Sequence, residues 1–174
     1  MSGFMTVLLA TLQFATPGAG GHRASAALDV PVVLQEPERC GEAALVMVLR
    51  YYAAGDAATR EAEGAYDPVL RGSLITDLAG AARRGGFDAV VATLTPDALI
   101  DLLDDGVPPV ILYQRGAGPL TVRHFGVVTG WDAVRDVFVL HDGTSRPRAM
   151  RRGELQALWS AAGSQALVIR RGPR

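Results

Sequence analysis

The feature that most constrains this chain is a change of hydrophobic period part-way along it. Residues 40–52 (CGEAALVMVLRYY) place Ala44, Leu45, Val48 and Leu49 at helical spacing, with Ala43 and Met47 beside them. So wide an apolar face predicts a helix buried in the middle of a domain. A polar, Ala/Glu-rich loop is expected up to Arg71. A helix then runs from an N-cap at Ser73 to Arg84, with Leu74, Leu78 and Ala81 or Ala82 on one face and Gly85-Gly86 ending it. Thr95 caps a further helix over 96–104, with Pro96 in its first turn. Beyond residue 106 the pattern shortens. Residues 107–113, 125–131, 137–141 and 165–169 are β-branched or aromatic runs between turn residues, interrupted by one helix over 151–161. Helices first and strands second predict an α+β domain with a segregated antiparallel sheet.

Composition narrows the function classes. A chain of 174 residues fits one domain, and 49% hydrophobic residues are enough for a core. Its 17 basic residues, all arginine, nearly cancel 18 acids to leave −1, so no basic field exists to drive nucleic-acid binding. A single cysteine excludes an internal disulfide, and three histidines with one cysteine lack zinc-finger spacing. Asp97, Asp101, Asp104 and Asp105 lack EF-hand loop spacing and read as a solvated acidic face. Trp131 and Trp159 read as packing residues, and Arg146, Arg148, Arg151 and Arg152 as a solvated basic patch. No metal or cofactor is called for.

Residues 1–27 differ from the rest and read as a signal peptide or linker ahead of a domain over 28–174. Residues 4–15 form an apolar run of 12, too short for a stable membrane span, and Ala24-Ser25-Ala26 is a site that a signal peptidase can cut. An exported chain is the expectation. The n-region has no Arg or Lys, and a start lying upstream of the domain is the other reading. Residues 29–34 form a short extended lead-in that Pro31 confines to a sheet edge.

The chemistry-bearing residues sit where these elements begin and end. Cys40 opens the buried helix, where the helix dipole and unpaired N–H groups stabilise a thiolate; Arg39 adds to this and Glu42 opposes it. Packing as a small core hydrophobe is the other role open to a lone cysteine. His124 begins the strand 124–131, which pairs with 137–141 around the turn 132–136. A hairpin symmetric about Val134 places 126 opposite 142 and 124 opposite 144. Asp142 then shares a face with His124, one diagonal step or about 7–8 Å away. His141 has the opposite parity and points to the other face. Thiol, imidazole and orienting carboxylate are the parts of a cysteine nucleophile. Gln35, just ahead of Cys40, is a candidate oxyanion donor beside the Cys40 backbone N–H.

These segments resemble a known family. Val30-Pro31-Val32-Val33-Leu34-Gln35, Cys40-Gly41, Ala43-Ala44-Leu45 and Met47-Val48-Leu49-Arg50-Tyr51-Tyr52 are similar to the nucleophile segment of bacteriocin-processing (double-glycine leader) peptidases, which are papain-like cysteine peptidases. Gly72-Ser73-Leu74, Gly106-Val107-Pro108-Pro109-Val110-Ile111 and His124-Phe125-Gly126-Val127-Val128-Thr129-Gly130-Trp131 extend the likeness, which looks closest to the stand-alone, exported branch. The resemblance implies a papain-like fold with Cys40 as nucleophile, His124 as base, Asp142 as orienting acid and Gln35 as oxyanion residue, acting on a peptide or protein substrate without a cofactor. Arg39 stands where exporter-linked members usually carry an acid, and Glu42 where many relatives have proline. An acyl transferase or cell-wall amidase on the same fold, or an inert binding module, are the alternatives. Specificity is expected from the loops 53–71 and 116–123.

Overall fold

The computed structural model describes residues 24–172 apart from residue 117. Its centre is a seven-stranded antiparallel sheet, ordered β2 (Phe87–Thr93), β7 (Gln165–Arg171), β3 (Val110–Arg115), β4 (Val122–Asp132), β5 (Val137–His141) and β6 (Arg148–Arg151), with the short β1 (Ser25–Ala27) paired to the far end of β4. Helices α1 (Cys40–Tyr51), α2 (Asp56–Glu63) and α3 (Ile75–Arg84) cover one face; α4 (Pro96–Asp104) and α5 (Arg152–Ser160) cover the other.

Strand alternation builds both cores. On β3, Val110 and Leu112 face the α1–α3 side, where Leu45, Met47, Val48 and Leu49 are wholly buried. Ile111 and Tyr113 face α4 and α5, among Leu99, Phe138, Leu155 and Trp159. Trp159 donates from its indole N–H to the Gln165 carbonyl at 2.8 Å, and Trp131 packs on Phe138 with ring centroids 4.5 Å apart. The basic patch is partly paired: Arg152 with Asp97 of the acidic cluster at 2.7 Å, and Arg148 with Glu154 of α5 at 3.3 Å.

The fold is the α+β architecture that the change of period predicts, with local corrections. The loop expected up to Arg71 contains α2, whose buried residues are only Ala58 and Ala62, too small a stripe to register as an apolar face. Strand β2 joins the sheet from within the helical half, and β6 adds a short outer strand. The lead-in at 29–34 forms no ladder; instead β1 pairs with β4. A cut after Ala26 divides β1, while His22 and the apolar run at 4–15 lie outside the described residues. Among the described residues no helix is long and apolar enough to cross a membrane. The cap at Thr95 is present, its side chain accepting from the Ala98 N–H at 3.2 Å. The cap at Ser73 is not: α3 starts at Ile75 with Leu74 before it.

The β4–β5 hairpin reaches its register by compensation. Asp132 pairs with Val137 and Trp131 with Phe138, so the turn is centred between Val134 and Arg135, with Asp132 Oδ1 accepting from both of their N–H groups at 3.0 Å. A bulge at Thr129 then absorbs one residue of β4, and Val128 pairs with Leu140 and Val127 with His141. Near His124 the register is therefore the one that symmetry about Val134 gives.

Candidate active site

Cys40 is the first residue of α1, preceded by Arg39, which makes no side-chain cap. The backbone N–H groups of Phe125, the residue after His124, and of Cys40 and Gly41 act on its thiol. These favour the thiolate, yet burial outweighs them and pushes the thiol above its ordinary range, with the Glu42 charge adding to the rise. This corrects the expectation of a stabilised thiolate. Arg39 gives no relief because it lies over the Tyr66 ring at 4.2 Å and pairs with Glu36 at 3.5 Å.

Glu42 is 4% exposed and accepts from the Ser73 hydroxyl at 2.7 Å. That bond draws Ser73 away from the start of α3. Gly41 lies beside the same serine: a Cβ there would lie 3.0 Å from both Cβ and Oγ of Ser73, so a larger residue would have to push that side chain back by a few tenths of an ångström.

His124 stands opposite Tyr113 of β3, the rings edge-to-face with centroids 5.7 Å apart. The ring is buried, which holds its pKa below the ordinary value; the Arg115 charge acts the same way, and the Asp142 carbonyl and carboxylate oppose. The expected contact with Asp142 forms through a different atom. His124 Nε2 lies 3.0 Å from the main-chain oxygen of Asp142, while the carboxylate accepts from Thr144 Oγ1 at 2.8 Å and lies 3.5 Å from Arg115 Nη1. A ring N–H donating to a carbonyl fixes the neutral tautomer with Nε2 protonated and leaves Nδ1 as the basic nitrogen. Burial and the nearby Asp142 charge push the Tyr113 hydroxyl up to about 12, so it stays neutral. His141, on the opposite parity, is half-buried with its pKa lowered by burial.

Gln35 donates its backbone N–H to the Gly143 carbonyl at 3.0 Å, and its side chain lies flat on that glycine. A Cβ on Gly143 would sit 2.4 Å from Gln35 Oε1 and 2.8 Å from its Cβ and Cγ, and Gly143 has φ +78°. The oxygen Oε1 is buried against this surface without a hydrogen bond.

Gln35, Cys40 and His124 all line one cleft of about 710 Å³, with Asp142 buried behind His124. Phe125, Leu112 and Ile75 contribute to its lining, and the exposed Leu70, Leu74 and Val122 give it apolar walls. Glu38 and Arg71, which form an ion pair, also line it. Both loops expected to set specificity reach it, through Leu70 and Arg71 from one side and Val122 and Arg123 from the other. Sequence reasoning missed Arg115, Gly143 and the Glu38–Arg71 pair, because each acts on a partner distant in the chain. Among the described residues no three His, Cys, Asp or Glu side chains lie together as a metal site.

The model of the peptidase C39 family matches residues 29–171. The chain belongs to the peptidase C39 family. A search of curated proteins gave no match. Solved C39 domains share its fold. The double glycine motif protease of an AMS/PCAT transporter, solved with its leader peptide, is 21% identical with a TM-score of 0.65, over 84% of this chain and 95% of that one. The peptidase domain of Streptococcus ComA is 18% identical with a TM-score of 0.64, over 82% and 98%. A Bacillus anthracis protein described as C39-like is 17% identical with a TM-score of 0.69, over 86% and 99%. The C39 fold is thus the papain-like α+β arrangement of helices packed on an antiparallel sheet, and family membership supports a cysteine peptidase.

Proposed function

We propose that this C39-family chain hydrolyses peptide bonds through Cys40. The observation that carries the reading is the opening of a thiol, an imidazole and a glutamine amide onto one cleft. The thiol is raised and the imidazole lowered, so at neutral pH the resting pair is uncharged. His124 Nδ1 then takes the Cys40 proton as sulfur attacks the scissile carbonyl, and returns it to the leaving amine. Asp142 fixes the tautomer through its main-chain carbonyl. The developing oxyanion is met by the Cys40 N–H and the Gln35 amide. Water then hydrolyses the acyl-enzyme. The apolar walls at Leu70, Leu74 and Val122 suit a peptide with apolar side chains next to the cleaved bond.

Incubation with a defined peptide mixture, followed by mass spectrometry with and without a competing amine, tests this reading. Paired fragments with free carboxyl termini, abolished by prior alkylation of Cys40, are expected. Amide products formed only with the added amine would assign the site to acyl transfer, and peptide binding without cleavage would assign it to recognition.

A further inference from the structure

Arg115, the last residue of β3, has no place in the mechanism above, yet its guanidinium reaches both members of the His124–Asp142 pair. Its Nη1 lies 3.4 Å from His124 Nε2 and 3.5 Å from Asp142 Oδ2. These contacts differ in kind. Nε2 is already 3.0 Å from the Asp142 main-chain oxygen, and a ring nitrogen cannot donate to a carbonyl and accept from a guanidinium at once. The shorter contact identifies Nε2 as a donor, so Arg115 presents an N–H to an N–H. Its attachment is to the carboxylate, whose other oxygen is taken by Thr144 at 2.8 Å.

We propose that Arg115 is a positioning residue that, with Thr144, holds the Asp142 carboxylate off the imidazole, so that the main-chain carbonyl of Asp142 orients His124. The inference rests on the reading of His124 as the base. Its consequence is electrostatic: a fixed cation beside the ring disfavours a second proton and keeps the base neutral at rest. The other groups facing the ring are accounted for. Arg148 on β6 acts in the same direction as Arg115; Asp142 acts against both. Tyr113 stays neutral, and Cys40 on α1 is a neutral thiol at rest.

NMR titration of the His124 ring nitrogens in the full chain, in Arg115→Gln, Arg115→Lys and Thr144→Val, tests this without any substrate. Two unit charges 3–4 Å apart in a water-like medium interact by about 1 kcal/mol, equivalent to just under one pH unit. Arg115→Gln is therefore expected to raise the His124 midpoint by about half to one pH unit after screening by salt. Arg115→Lys stays within about 0.3 of the parent, because the charge is kept. Thr144→Val, which frees one carboxylate oxygen, moves the midpoint upward as well. An unmoved midpoint in both Arg115→Gln and Thr144→Val would overturn the proposal. A shifted midpoint in a protein that cleaves no peptide would leave it standing and remove the peptidase reading; cleavage with an unmoved midpoint would do the reverse.

Discussion

Cys40→Ala is expected to cut the turnover of any peptide the parent cleaves by at least about 10⁴-fold, because it removes the chain's single thiol, the group that attacks the scissile carbonyl. KM is expected to change little, since the apolar walls remain. His124→Ala is expected to lose a similar amount. The resting pair is neutral, so without the imidazole nothing removes the thiol proton at neutral pH. The double variant should be no worse than either single one, as members of one catalytic unit fail together. The steady-state kinetics of all three proteins check this. Additive losses would mean that the residues act separately.

Gly143→Ala is the second large effect, and it acts through Gln35. The substitution places a Cβ within 2.8 Å of the Gln35 Cβ and Cγ, at a φ of +78° that alanine adopts at a cost of about 1–2 kcal/mol. Displacing Gln35 is expected to lower kcat by about 10²–10³-fold, the cost of one oxyanion donor. Gln35→Ala should lose the same amount without the destabilisation. Combining the two removes the Oε1 and Cγ clashes but keeps the 2.8 Å Cβ contact and the strained φ, so Gly143→Ala/Gln35→Ala should regain part of the stability and none of the activity. Thermal unfolding alongside kcat for the set separates these effects. A Gly143→Ala protein with parental kcat would remove Gln35 from the mechanism.

The parts of this molecule legible in its sequence are those whose signal is local. The α1 segment announces itself through Leu45, Val48 and Leu49, and α4 through Thr95 and Pro96. The segments α2, β2 and β6 were missed because their buried residues are few: Ala58 and Ala62 in α2, Ala89 in β2, Met150 in β6. Hairpin parity placed Asp142 near His124, but only the folded chain shows that the main-chain oxygen makes the contact. The competition between burial and the helix N-terminus at Cys40 was equally hidden, because its outcome depends on what packs over the thiol. Ser73 illustrates the same limit: its capping role is lost to Glu42, a partner from another helix.

The central claim is that Cys40 and His124 form one working pair, and the most direct test is the rate of Cys40 alkylation by iodoacetamide across pH, in the parent and in His124→Ala. The chain has one cysteine, so mass spectrometry reads a single site. The parent is expected to label more slowly than free cysteine at pH 7, with a midpoint above the ordinary thiol range, because burial and Glu42 oppose the thiolate. His124→Ala should label more slowly still, having lost the base that takes the proton. Identical profiles in the two proteins would contradict the account and make Cys40 a structural residue.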